Sequence, residues 1–453
     1  MEHKKYHLIG IGGEGMCPIA EILKRKGYEV TGSDTAIKKN TKHLTDLGIK
    51  IFYGQKAENV TDQDIIIYTT AIQGDNPEFR KAQETGKIMY SRPVMLGKIL
   101  SEYKNRITVS GVHGKTTTTA IIDKILHKGN KNNTSLIGSP VSELNGNLRY
   151  GTGDTILTEA CEAFKSFLNL HPSVAVLTNI DGDHLDHYGT IDNIEDTFRK
   201  FTTENVDPEG TIIYNEDDER LCRAVKDSGR KLISYGLGKN CDFRAENIQK
   251  QGIFITYDLY INQKFAGNIK LRAMGEHNVY NSLAATACGY VFDIDLNIIK
   301  SVLENFNMPD RRFNIIYNEE ITVVDDYAHH PTEIKSTLTA AKEHFSENRI
   351  TAVFQPHLYT RTQQHFNAFA NALQIADRII ITDIYAAREL PIEGVTCQII
   401  LDEIKDKKAE YCKLSEIPDL ALSEKQDGDI FIFLGAGDIF KAAYELKNKL
   451  EKN

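Results

Sequence analysis

Short apolar, β-branched runs of strand length recur along the chain, each followed by residues whose apolar positions repeat at helical spacing. "YHLIGI", "YEVTGSD" and "DIIIYTT" come first, then "RITVSG", "DTILTEA", "SVAVLTNI", "TIIYN" and "KLISYG", and finally "ITVVDDY", "ITAVFQP", "RIIITDI" and "DIFIFLGAG". Strand-then-helix alternation predicts an α/β protein whose mostly parallel sheets are covered on both faces. One stretch breaks the pattern. Residues 243–272, "FRAENIQKQGIFITYDLYINQKFAGNIKLR", alternate apolar and polar, with turn signals at Gln251-Gly252 and Asn262-Gln263, which predicts a small antiparallel meander.

A chain of 453 residues exceeds one core, and at roughly 150 residues per domain about three are expected. The polar "SEYKNR" (101–106) and the Pro-containing "NFNMPDRRFN" (305–314) mark the cuts, giving expected domains 1–104, 105–309 and 310–453, with the meander in the second. Charge changes the picture only by exclusion. With 54 Lys plus Arg against 63 Asp plus Glu, a net −9 and no long basic run, nucleic acid is not an expected partner. The seven scattered cysteines form no C-x-x-C pair and read as reduced thiols. No apolar stretch approaches the length of a membrane span and the N-terminus enters a strand directly, so the expectation is a cytoplasmic chain without membrane insertion.

Two glycine turns carry the candidate chemistry. In "LIGIGGEGM", Gly10, Gly12 and Gly15 have G-x-G-x-x-G spacing, with Gly13 and Met16 in the same turn, and Asp34 of "VTGSD" lies 19 residues past Gly15. Such a turn lets backbone N–H groups approach a diphosphate at a helix N-terminus, with the acid on a ribose. It serves equally as a turn that only packs helix on strand, and both readings stand at this point. The second turn, "SGVHGKTTTT", is more specific. Gly111, His113, Gly114, Lys115, Thr116 and Thr117 follow a buried strand and open a helix. Backbone amides and the Lys115 ammonium there suit β/γ-phosphate oxygens, and the Thr116 hydroxyl suits Mg²⁺. Val109 stands where the usual P-loop pattern has its first glycine.

Carboxylates collect at the ends of the next strands: Glu159 and Glu162 in "TEACE", and Asp181, Asp183, His184 and Asp186 in "TNIDGDHLDHYG". Strand ends beside a phosphate loop are where α/β sheets place Mg²⁺ ligands. "VVDDYAHHPTE" sets Asp325, Asp326, Tyr327, His329 and His330 between a strand and a helix. Adjacent histidines diverge, so at most one of that pair is expected at a ligand. "FQPHLYTRT" adds His357 and Arg361, a plausible carboxylate clamp.

Taken in order, "GIGGEGM", "GSD", "TTAI", "NPE", "SGVHGKTTTT", "TEACE", "TNIDGDHLDHYGT", "GEHNVYN", "RRF", "DDYAHHPTE", "FQPHLYTRT", "IYAARE" and "FLGAGDI" resemble the Mur ligases over residues 7–440 or so. The resemblance implies a Rossmann-like N-terminal domain for a UDP-sugar, a central ATPase domain and a Rossmann-like C-terminal domain that presents an amino acid. It implies ATP and Mg²⁺ as cofactors and UDP-N-acetylmuramate and L-alanine as substrates, joined through an acyl phosphate; a homodimer is left open. By the same likeness Gly10, Gly12, Gly13, Gly15, Met16, Ser33, Asp34, Thr70 and Ala71 line the UDP-sugar. Lys115 holds the γ-phosphate, and Thr116, Glu159 and His184 hold the metal. Asn278 and Asn281 lie on the adenine side, Arg312 and Asp326 contact nucleotide with Arg311 as fallback, and Tyr327, His329 and Arg361 form the amino-acid group. His329 is expected to accept the amine's proton. Three departures stand out: Cys161 where the family often has an acid, Leu358 where "PHRYTR" has arginine, and Val94 where an acid is frequent.

Overall fold

The computed structural model describes residues 4–69, 71–72, 74–182, 185–251, 253–387, 389–405 and 407–452. Thr70, Asp183 and His184 therefore lie outside the described residues.

Three sheets form. The first consists of β1 (Lys5–Ile9), β2 (Glu29–Asp34), β3 (Lys50–Tyr53), β4 (Ile65–Tyr68) and β5 (Ile88–Ser91), all parallel in the order β3-β2-β1-β4-β5. The second is built from β6 (Asn105–Ser110), β7 (Thr134–Val141), β8 (Gly146–Arg149), β9 (Thr155–Glu159), β10 (Val174–Leu177), β11 (Thr211–Asn215) and β12 (Lys231–Gly236). Its order is β12-β11-β10-β6-β9-β7-β8, parallel except where β8 returns along β7. β13 (Phe243–Gln251) begins parallel to β12, Phe243 opposite Tyr235, and continues into β14 (Phe254–Ile261) and β15 (Lys264–Leu271). The expected turn at Asn262-Gln263 has φ of +48° and +65°, the two positive values of a tight hairpin turn. The third sheet takes β16 (Asn314–Asn318), β17 (Thr322–Asp326), β18 (Ile350–Phe354), β19 (Arg378–Ile381), β20 (Lys408–Tyr411) and β21 (Ile430–Leu434) in the order β16-β17-β21-β18-β19-β20, with β16 alone antiparallel. The apolar runs that announced these strands are their buried residues, as in the fully buried "IFIFL" of β21.

These sheets pack as two compact units. One holds Met1–Arg244, Tyr260–Lys264 and Asn281–Val302; the other holds Ala245–Leu259, Phe265–Tyr280 and Leu303–Asn453. The first two sheets thus share a unit, and a single apolar core runs from Leu8 and Ile19 through Leu96 and Leu100 to Phe167, Leu170 and Phe198. The helix Arg92–Leu100 approaches so closely that a Cβ at Gly97 would stand 2.2 Å from the Asn169 carbonyl oxygen. Much of the meander belongs to the second unit, where Lys250 pairs with Glu343 at 2.7 Å and His277 Nδ1 lies 3.1 Å from the Ser336 hydroxyl. Among the described residues, no helix is long and apolar enough to cross a membrane.

Candidate active site

In the first turn the chain leaves β1 at Gly10, whose φ of +79° suits glycine. The Ser33 carbonyl accepts the N–H groups of Gly10 and Ile11, both at 2.9 Å, and Asp34 Oδ2 accepts that of Gly12 at 2.9 Å. A Cβ at Gly12 would lie 2.6 Å from the Thr41 methyl. Gly13 donates to the Gly10 carbonyl at 3.2 Å, and buried Met16 leads into the helix Cys17–Arg25. The Arg92 guanidinium lies over Gly15, with Nη1 3.1 Å from where its Cβ would stand, so a cation flanks the turn. Ser33 is fully buried and its hydroxyl donates to Glu78. The Asp34 carboxylate is spent on Gly12, Thr35 and Lys38 and braces the turn. Ala71, at the end of β4, is exposed.

The second turn follows β6, with Val109 buried in that strand. Gly111 has φ +138° and Gly114 φ +83°, backbone that a β-carbon would strain. Contacts exclude one as well: it would fall 2.0 Å from Thr178 Oγ1 at Gly111 and 2.5 Å from Asn281 Oδ1 at Gly114. Asn179 fastens the loop: its Oδ1 accepts the His113 N–H at 2.8 Å and its Nδ2 donates to the His113 carbonyl at 2.9 Å. His113 Nε2 meets Asp181 at 3.0 Å. The helix Lys115–Lys128 starts at Gly114 with no side-chain cap, so its first N–H groups are presented to a ligand. Lys115 is folded back onto the loop, donating to the Gly111 carbonyl, to the Val112 carbonyl at 3.0 Å and to Glu162 at 3.0 Å. Burial alone would lower its pKa, but the Glu162 and Glu159 carboxylates outweigh it and the ammonium is held above the ordinary lysine value. Glu162, which the sequence grouped with metal ligands, is thus the counter-charge of Lys115.

An uncapped helix end, a glycine loop with no room for β-carbons and a buried ammonium fit the β- and γ-phosphates of ATP. Thr116 sits in the first turn of that helix and Glu159 ends β9, its carboxylate accepting the Gly138 N–H at 2.6 Å. A hydroxyl and a carboxylate are the hard oxygen donors Mg²⁺ takes. Asn281 Oδ1 accepts from the Thr118 hydroxyl at 3.1 Å, which ties it to the phosphate-loop helix, while Asn278 Nδ2 donates to the Met274 carbonyl at 2.7 Å.

In the third sheet the loops after β17, β18 and β21 bring the remaining residues together. Asp326 is buried, and its carboxylate accepts the N–H groups of Ala328 at 2.7 Å and Phe313 at 2.8 Å. Burial raises its pKa against the pull of those amides and Arg312. Asp326, expected at nucleotide, shapes the loop through these bonds. The two arginines have different surroundings. Arg311 is consumed by Asp325 and the carbonyls of Gly435 and Gly437, whereas Arg312 Nε has no hydrogen-bond partner and its guanidinium lies 5.4 Å from the Tyr327 ring centre. The histidines diverge too. His330 caps the helix Pro331–His344, and His329 meets the Tyr327 carbonyl through Nδ1 at 3.0 Å. A carbonyl only accepts, so Nδ1 carries the proton and Nε2 offers a lone pair. Burial lowers the His329 pKa, with Glu333 opposing and Arg361 assisting. His357 stands 5.9 Å from His329 ring to ring, stacks on Tyr385 at 5.7 Å and approaches Arg361 Nη1 at 3.4 Å. Leu358 between them has φ +71°. The residues that sequence reasoning missed, Arg92, Asn179, Glu333 and Tyr385, act through contacts distant in sequence; Asn179 alone carried a local signal, as the residue after a strand and before the acidic run.

Comparison with known proteins agrees with this geometry. Residues 5–104 match the family described as "Mur ligase family, catalytic domain", 109–289 the "Mur ligase middle domain" and 311–437 the "Mur ligase, glutamate ligase domain". Together the fold, the phosphate loop and these matches define an α/β ligase of known class: the chain belongs to the Mur ligase family. Among its relatives is a protein named UDP-N-acetylmuramate--L-alanine ligase from Caldanaerobacter subterraneus subsp. tengcongensis, 38% identical over 99% of this chain and 98% of that one. A protein of the same name from Clostridium tetani is 40% identical over 97% of each. The solved structure of a UDP-N-acetylmuramate-alanine ligase from Thermotoga maritima is 30% identical and superposes with a TM-score of 0.84, covering 99% of this chain and 100% of that one.

Proposed function

We propose that this chain joins L-alanine to UDP-N-acetylmuramate at the expense of ATP, as an early step in cytoplasmic peptidoglycan precursor synthesis. The observation that carries the reading is the Gly111–Thr116 loop, where a buried lysine paired with Glu162 stands at an uncapped helix start. Full-length likeness to ligases named for this reaction supplies the substrates. Residues 1–104 bind the UDP-sugar, its diphosphate at Gly10–Gly15 beside Arg92; residues 105–309 bind ATP; residues 310–453 present the amino acid.

The muramyl carboxylate attacks the γ-phosphorus, ADP departs, and an acyl phosphate forms. Lys115 turns from the loop carbonyls to the transferring phosphoryl oxygens, and the loop amides spread its charge. Thr116 and Glu159, with His184 by the family resemblance, would hold Mg²⁺, which would supply neutralisation of phosphate charge. The Arg361 guanidinium takes the carboxylate of alanine. The neutral amine attacks the acyl carbon, His329 Nε2 accepts its proton, and phosphate leaves to give the amide. The test is phosphate release from MgATP with UDP-N-acetylmuramate, adding L-alanine, glycine, L-serine or a tripeptide in turn. Release that needs both the sugar and L-alanine, with the amide found by mass, is expected; sugar binding without turnover would sink the reading.

A further inference from the structure

Beneath the first glycine turn lies a polar set with no access to solvent. His7, Ser33 and Glu78 are each 0% exposed, and Asn59 is 8% exposed. Ser33 links them to the turn. Its carbonyl accepts the Gly10 and Ile11 N–H groups, and its hydroxyl donates to Glu78 Oε2 at 2.5 Å. The other Glu78 oxygen accepts Asn59 Nδ2 and faces His7 Nε2 at 3.7 Å.

Protons in this set are constrained. The Thr31 hydroxyl spends its hydrogen on the Tyr6 carbonyl at 3.3 Å, so it accepts from His7 Nδ1 at 2.9 Å. His7 Nε2 makes no hydrogen bond and lies against the Glu78 carboxylate across that 3.7 Å gap. Glu78 reaches this place through the helix Pro77–Glu84, whose Asn76 cap accepts the N–H groups of Glu78 and Phe79 and sets Glu78 in the first turn. A charged side chain buried this deeply requires compensating partners, and what it grips is the residue that sets the turn's backbone.

We infer that Glu78, beside His7 and Asn59, is a positioning residue for the sugar nucleotide: through the Ser33 hydroxyl it fixes the glycine turn against which the diphosphate lies. This rests on the reading that the first turn takes the UDP-sugar. A loosened turn would weaken diphosphate binding and leave the ATP loop untouched, because its anchors, Asn179, Asn281 and Glu162, are different residues.

The experiment compares Glu78→Ala, Glu78→Gln and Ser33→Ala, with Gly12→Ala as a direct lesion of the turn. KM for UDP-N-acetylmuramate, KM for ATP and kcat are measured on the full chain, with thermal melting as a fold check. Glu78→Ala and Ser33→Ala should each raise the sugar-nucleotide KM about tenfold, with the ATP KM and kcat within about twofold of the starting enzyme. Glu78→Gln should recover part of the loss, since its amide oxygen still accepts from Ser33 while its amide nitrogen no longer accepts from Asn59. The double variant Ser33→Ala/Glu78→Ala should be no worse than either single change. If Gly12→Ala raises the sugar-nucleotide KM while the folded Glu78 and Ser33 variants do not, the positioning role is wrong and the substrate assignment stands. If Gly12→Ala also leaves that KM unchanged, both fall. Equal losses in all three constants, tracking the drop in melting temperature, would mark a merely structural role and overturn the proposal; Ser33→Ala, which removes one oxygen, keeps the test open if Glu78→Ala does not fold.

Discussion

Lys115 is held by two loop carbonyls and a carboxylate, so its ammonium is already largely desolvated before it turns to a phosphate. Lys115→Met should lower kcat about 10² to 10³-fold while the sugar nucleotide still binds, measured by single-turnover phosphate release and by calorimetry with UDP-N-acetylmuramate. His329 gives a pH prediction. Its pKa lies below the ordinary histidine value of about 6.5, chiefly through burial. The neutral base therefore persists below pH 6.5, and the acid limb of kcat should fall under that value, disappearing in His329→Asn, whose turnover at saturating alanine should drop about 10² to 10⁴-fold. Stability follows the same sign. A histidine depressed in the folded state contributes stability above about pH 6.5 that is lost as pH falls through its native pKa, and His329→Asn should flatten that part of the melting-temperature profile. At this scale sequence reading met a limit set by side-chain direction. It named Ser33, Asp34 and Asp326 as ligand contacts, but their hydrogen bonds to backbone N–H groups or to Glu78 were not legible, because side-chain direction depends on partners far away in the chain.

Elements were more legible, because strand and helix signals are local. The buried strands coincide with the β-branched runs, the Asn262-Gln263 turn adopts a positive φ pair that asparagine favours and glutamine does not, and Gly114 bears a left-handed φ. Packing between elements was not legible. Nothing about "RPVMLGKIL" reveals that its glycine meets a carbonyl oxygen 72 residues on. Gly97→Ala should force the helix Arg92–Leu100 off the Asn169 backbone, where a Cβ has 2.2 Å, and cost about 1–3 kcal/mol. Urea denaturation should show a lower midpoint with an unchanged slope. Asn76→Ala removes the side chain that accepts two N–H groups at the start of the helix Pro77–Glu84, and should cost about 1 kcal/mol by the same measurement.

For the whole molecule, polar breaks near residues 101–106 and 305–314 suggested three domains, and three sheets are present. Yet the chain packs as two units, because apolar residues of the first and second sheets interdigitate in one core. Calorimetry should resolve two transitions. MgATP or UDP-N-acetylmuramate should shift the one that belongs to the unit carrying both glycine turns, by mass action on its native state. A single ligand-insensitive transition would contradict this division.

The close seat of Gly97 on Asn169 also bears on which donor the enzyme accepts. On the proposed reading, both glycine turns being built on one core, the separation between them would act as a caliper, one jaw for a diphosphate and the other for the terminal phosphate of ATP. A nucleotide sugar would then be gauged by length as well as by chemistry, and one whose acid sits a bond too far from its diphosphate should be phosphorylated more slowly.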